Sequence, residues 1–111
     1  MSPLAFESEN VDSIVRVRLD GELDLSSAPE FERFLVGLEK ESDAPIEIDL
    51  RRLAFMDSTG LRLILSADAR AKDRGGRLRL IQGPAAVQRV FRIAGLEERL
   101  EFSSPGLDEG A

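Results

Sequence analysis

The sequence has no histidine, no cysteine, no tyrosine and no tryptophan. Without histidine, the commonest general base and the commonest transition-metal ligand are both missing. A Ser-His-Asp triad cannot be assembled within this chain. Without cysteine there is no disulfide, no thiolate nucleophile and no sulfur-ligated metal, in keeping with a reducing cytoplasm. No G-x-x-x-x-G-K loop is present, so intrinsic ATP binding has no support. No apolar run approaches the roughly 18–20 residues that a membrane helix needs. The opening M-S-P-L-A-F-E-S-E-N reads as no secretory signal. These absences point away from an enzyme and imply no cofactor and no metal. The acids of D-G-E-L-D at 20–24 are expected in a turn with solvated carboxylates rather than around magnesium.

What is present suits one small domain. The chain has 111 residues, of which 42% are hydrophobic, enough for a single core. A folded domain is expected over residues 1–103, with S-P-G-L-D-E-G-A at 104–111 as a flexible tail. Net charge is −6, unevenly spread. Residues 1–57 carry fourteen acids against six bases, whereas residues 58–102 carry five acids against nine bases. A net acidic chain with phenylalanine as its only aromatic is a poor nucleic-acid binder. The asymmetry suits docking on a protein partner, beside the plainer reading of solvated surface charge.

Four stretches alternate with period two, as half-buried strands do. They are L-A-F-E from Leu4, V-R-V-R-L at 15–19, I-E-I-D-L at 46–50 and R-L-R-L at 77–80. Helical spacing links them. Phe31, Phe34, Leu35 and Leu38 form one stripe, Leu61, Ile64, Leu65 and Ala69 a second, and Val87, Val90, Phe91 and Ala94 a third. Ser26 or Ser27 is expected to cap the first helix, with Pro29 in its first turn. Gly75-Gly76 and Gly95 close the other two, and Pro84 opens the third. The order is β-β-α-β-α-β-α, with a short last strand near residues 100–102. The implied fold is α/β: a mixed sheet of 4–5 strands, the first antiparallel and the rest parallel, with helices mainly on one face. Right-handed crossovers that always step one way put every helix on the same side. Alternating strands agree, because strands covered on both faces would be apolar throughout. Opposite charges favour I-E-I-D-L between the two arginine strands.

In such a sheet, the loops after parallel strands form the functional edge. F-M-D-S-T-G-L at 55–61 lies there, with G-E-L-D-L-S-S after the second strand. Ser58 or Asp57 can cap the second helix. Alternatively, Ser58 is a phosphorylation site, since a phosphate there meets free N–H groups and the positive end of the helix dipole. Arg62, one turn on, is in reach, while Asp24 and Asp57 oppose it. Phe55 either packs beneath its loop or stands exposed as a partner anchor.

Three motifs carry a family resemblance: V-R-L-D-G-E-L-D-L at 17–25, I-D-L-R-R-L-A-F-M-D-S-T-G-L at 48–61 and F-R-I-A-G-L-E-E-R-L-E-F at 91–102. Residues 4–102 resemble the STAS domain, and within it the bacterial anti-sigma factor antagonists. The resemblance implies a cytoplasmic, non-catalytic binding module. Its partners would be an anti-sigma factor with serine kinase activity, which phosphorylates Ser58, and a serine phosphatase. The unphosphorylated form would bind the anti-sigma factor and free the sigma factor. Asp24, Asp57 and Gly60 match family positions, and Thr59 occupies the variable one. Met56, Arg51 and Arg52 depart mildly. The free chain is expected to be a monomer, neither bound to nucleic acid nor inserted in membrane. The alternative role is a phosphate-independent STAS scaffold, or a subunit of a stress-signalling or lipid-transport complex. A receiver-type phosphotransfer domain fits poorly, because no lysine follows the late strand.

Overall fold

The chain enters its fold as a β-hairpin. In the computed structural model, which describes residues 3–103, strand β1 (Ala5–Val11) pairs antiparallel with β2 (Ile14–Leu23). Val11 faces Ile14, leaving Asp12 and Ser13 as a two-residue turn with φ of 49° and 71°. Positive φ at both central positions matches the right-handed twist of the strands. Helix α1 (Ala28–Glu41) crosses to β3 (Ile46–Met56), α2 (Ser58–Asp73) to β4 (Arg79–Ile81), and α3 (Ala85–Ile93) to β5 (Glu101–Ser103). The sheet order is β1-β2-β3-β4-β5, and every pairing after the hairpin is parallel. The tail expected at 104–111 lies outside the described residues. Among those residues, no helix is long and apolar enough to cross a membrane.

The core lies between the sheet and the three helices. Phe31 and Phe34 of α1 pack tilted against Phe6 of β1 at ring distances of 5.3 and 4.8 Å. Phe91 of α3 meets Phe102 of β5 edge-on at 5.0 Å. Phe6 is paired with Leu19 and Phe102 with Leu80, so all four share the helix-covered face. The stops act as expected: Gly75 and Gly95 take φ of 85° and 73°, and backbone bonds from Gly76 to Ala71 and from Leu96 to Phe91 close the helices.

The other face carries charge. Register places Glu9, Arg16, Glu47, Arg79 and Glu101 in one row across all five strands, with signs alternating. The I-E-I-D-L strand therefore sits between the two arginine strands, as the charge pattern implies. The partners differ in detail. Arg16 meets Glu47 at 2.6 Å, but Arg18 turns to Glu9, Asp49 is held by Arg51, and Arg77 reaches back to Asp68 on α2. Nor is this face uniformly wet, because Glu47 and Asp49 are buried. Long guanidinium side chains cover them.

Four local expectations are corrected. Residues 51–56 are not a loop: β3 continues to Met56 and β2 to Leu23. Register shifts between Arg18 and Asp20 and between Gly21 and Glu22 break the simple alternation. Leu50, Leu53 and Met56 are therefore buried at three-residue intervals. The first four residues of D-G-E-L-D are accordingly strand rather than turn, and only Asp24 lies beyond it. Gly21, at φ 119°, is needed because a Cβ there would collide with the Pro3 carbonyl oxygen. On α2 the buried face is Gly60, Leu63, Ile64, Ala67, Asp68 and Ala71. Leu65 and Ala69 point to solvent, as does Ala94 beyond α3. The R-L-R-L pairing begins only at Arg79.

Candidate functional site

The ends of β2 and β3 lie side by side, with Leu23 paired to Met56 and the Asp57 N–H donating to Leu23 O at 3.4 Å. From each end an aspartate leads into a helix. Asp24 Oδ1 accepts from the Ser26 and Ser27 N–H groups at 3.0 and 3.2 Å and from the Ser26 hydroxyl at 2.7 Å. The Ser26 hydroxyl foremost, with these N–H groups, holds the Asp24 carboxyl below its ordinary pKa against a weaker opposing effect of desolvation. Ser27 is the first-turn boundary of α1 but makes no side-chain cap. Its hydroxyl instead donates to Glu22 O at 2.8 Å. The capping expected of Ser26 or Ser27 is thus replaced by a turn built on Asp24.

At α2 the division of labour is simpler. Asp57 is the N-cap, and its Oδ1 accepts from the Thr59 and Gly60 N–H groups at 2.9 and 3.2 Å. Ser58, the next residue, is the first of the helix and is exposed. Its hydroxyl therefore has no capping task. Gly60 is buried against the strand ends: a Cβ there would lie 2.7 Å from Met56 Cγ and 2.9 Å from Leu23 Cγ. The glycine is required for close approach of α2 to the sheet, not for an unusual backbone angle.

The remaining candidates flank Ser58 on two sides. Thr59 and Arg62 line a shallow cavity of about 220 Å³ between α1 and α2, with Leu25, Pro29, Glu32 and Leu63. Leu25 is 74% exposed and was not singled out by the sequence. Its only signal is its place directly after Asp24. Phe55 is 47% exposed, so it is not packed beneath a loop. It lies beside Glu22 on the helix-free face. Asp24, Phe55, Asp57, Ser58, Thr59, Gly60 and Arg62 thus all belong to one end of the sheet. Among the described residues no cluster of carboxylates is arranged to hold a metal.

Residues 7–102 match the family profile described as "Mlab, STAS domain". The chain is 34% identical over 90 residues to the anti-sigma-B factor antagonist of Bacillus subtilis, covering 81% of this chain and 82% of that one. It superposes on the anti-sigma factor antagonist SpoIIAA in its unphosphorylated form with a TM-score of 0.81 and 28% identity, over 96% of this chain and 92% of the other. Against the Bacillus cell fate determinant SpoIIAA in the phosphorylated form, the TM-score is 0.74 and the identity 27%, over 96% of each chain.

Proposed function

The chain belongs to the STAS domain family, and on that premise we propose that it is an anti-sigma factor antagonist switched by phosphorylation of Ser58. In the unphosphorylated state it binds an anti-sigma factor that is also a serine kinase, and so releases the sigma factor. Phosphorylation ends that binding, and a serine phosphatase restores it. The domain works as a binding module with no catalysis of its own. Its similarity to named antagonists, one of them solved with and without phosphate, supports the reading.

The observation that carries the proposal is the separation of tasks at the start of α2. Asp57 satisfies the helix N–H groups, so the exposed Ser58 hydroxyl can be modified without uncapping the helix. A phosphate on Ser58 adds about −1.5 to −2 charges to an edge that already holds Asp24 and Asp57. The helix dipole and Arg62, one turn on, make the phosphate locally tolerable. A partner docked over Leu25, Thr59 and Phe55 meets that charge directly.

Phosphosite mapping of the protein from its native cells, in growth and under stress, is the test. Phosphate on Ser58 that varies with condition is expected. Ser58→Ala should remain bound to the anti-sigma factor, while Ser58→Asp and the phosphoprotein should bind it more weakly. Equal affinity of all forms would rule the switch out. An unmodified Ser58 in every condition would favour the phosphate-independent scaffold.

A further inference from the structure

Helices α2 and α3 each follow a strand and return over the same face to a parallel neighbour. They therefore run in the same direction and pack side by side. Both begin at the edge that carries Ser58. Their solvent-facing ridges match. Arg62 lies four residues after Ser58, and Arg89 four residues after Ala85, about 6 Å along each axis. Roughly one turn further come Leu65 on α2, 37% exposed, and Ile93 on α3, 78% exposed. Ala69 and Lys72 extend the first ridge and Arg92 flanks the second, all of them exposed.

Asp73, the last residue of α2, is the only exposed carboxylate on α2 and α3, because Asp68 is buried. In a chain of net charge −6 this is an unusual stretch of surface. Arg62 and Arg89 make no ion pair among the described residues. Arg92 is paired with Glu97 at 3.4 Å and Lys72 with Asp68 at 3.3 Å. Two apolar side chains rimmed by unpaired arginines have the composition of a recognition patch.

We infer that the paired ridges of α2 and α3 form a second docking surface, adjoining the groove between α1 and α2 at Arg62, which lines that groove as well, for an acidic amphipathic segment of a protein partner. Leu65 and Ile93 take its apolar side, and Arg62, Arg89 and Arg92 take its carboxylates. Charge complementarity selects this occupant. A nucleic acid or an anionic membrane would approach the same few cations but would be repelled by the acidic remainder of the chain. In identifying the partner with the anti-sigma factor, the inference rests on the reading above; the surface itself does not. It also gives the switch a second lever. A phosphate on Ser58 competes for Arg62, which the docked segment needs.

Site-specific photo-crosslinking in native cells tests this. A benzoylphenylalanine replaces Ile93 in one strain and Leu65 in a second, exposed Leu25 and Phe55 in two more, and exposed Asn10 of β1 in a control. Adducts from positions 65 and 93 to one protein are expected, with acids outnumbering bases in the linked peptide and no such adduct from position 10. The double variant Arg89→Glu, Arg92→Glu, checked for folding by circular dichroism, should lower the yield about tenfold. Absence of adducts at 65 and 93, a neutral or basic linked peptide, adducts only to nucleic acid or lipid, or a yield indifferent to charge reversal would each overturn the inference. Adducts from Leu25 or Phe55 positions alone would sink it and leave the proposed function standing. Adducts from none of these positions would sink both.

Discussion

The substitution Gly60→Ala should weaken the domain, although it places a better helix former in a helix. The added Cβ would sit 2.7 Å from Met56 Cγ and 2.9 and 3.0 Å from two Leu23 atoms. Both neighbours are themselves buried at strand ends, so neither can swing clear. Overpacking of this kind costs about 1–3 kcal/mol. Alanine recovers at most about 1 kcal/mol of helix propensity, and less in the first turn, where the chain is not yet in the hydrogen-bonded ladder. The expected net loss is about 1–2 kcal/mol, lowering the urea midpoint on the order of 0.5–1 M at unchanged slope. Gly37 supplies the control. It lies inside α1, and a Cβ there would meet nothing within 4 Å, so Gly37→Ala should stabilise by about 0.5–1 kcal/mol. Opposite signs for the same chemical change, measured by urea unfolding, would establish that α2 is pressed onto the strand ends. A Gly60→Ala midpoint at or above that of the wild type would refute it.

Asp57→Ala should cost about 1–2 kcal/mol through the lost cap, while Ser58→Ala should stay within about 0.5 kcal/mol; a larger loss at Ser58 in thermal melts would return the serine to a structural role. Arg16→Ala strands the buried Glu47 (the pair is 12% and 7% exposed) and should cost about 3 kcal/mol. Arg18→Ala removes a pair that is 45% and 44% exposed and should cost under about 1 kcal/mol; equal losses in paired urea titrations would contradict the burial argument. Burial pushes the Asp49 carboxyl up, but hydrogen bonds from the Arg51 side chain and backbone and its charge outweigh this and leave the pKa lowered. Its contribution is therefore complete above the ordinary carboxylate pKa of about 3.9 and lost as pH falls through the lower folded value. Asp49→Asn should flatten that acid limb, and an unchanged stability-versus-pH slope below about pH 4 would dismiss the group.

The strand order, its parallel sense and the placement of the three helices were legible because each rests on a repeated pattern. Alternation marks strands, the i, i+3, i+4 spacing marks helices, and signs of charge match neighbours. What escaped was local. β1 runs on to Val11 although Glu7, Ser8, Glu9 and Asn10 are all exposed, so only its start in L-A-F-E showed alternation and the rest of the edge strand did not. The bulges in the β2–β3 pairing hid six strand residues at 51–56, since a shifted register spoils the period. On α2, Leu65 and Ala69 fit a helical stripe as well as Leu63, Ala67 and Ala71 do, because the helix has apolar residues on both sides. Only contact with the sheet chooses between them. The candidate site was legible as a set, since Asp24, Asp57 and Ser58 all follow strand ends. Which of Asp57 and Ser58 caps the helix was not legible, because either side chain can reach the same N–H groups. Leu25 escaped because a lone exposed leucine has no pattern.

A sheet whose strands follow in strict order turns sequence into space, so the acidic first half and the basic second half of this chain become opposite flanks of one molecule. The Ser58 edge lies between them. The first turn of α2 is fixed by the Asp57 cap and by Gly60 against Leu23 and Met56. A group added to the exposed Ser58 has no packing to break there, so the proposed switch has charge as its means. Its size should then depend on screening. Phosphorylated and unphosphorylated protein can be titrated with the purified anti-sigma factor at about 0.1 M and about 1 M salt, where the Debye length falls from about 10 Å to about 3 Å. The ratio of the two affinities should shrink several-fold at the higher salt. Arg62 is exposed and the phosphate carries its charge at the surface, so both the repulsion and the competition for the arginine are screened. A ratio that ignores salt would mean that the phosphate acts by bulk or by refolding the turn, and the electrostatic account of the edge would fall.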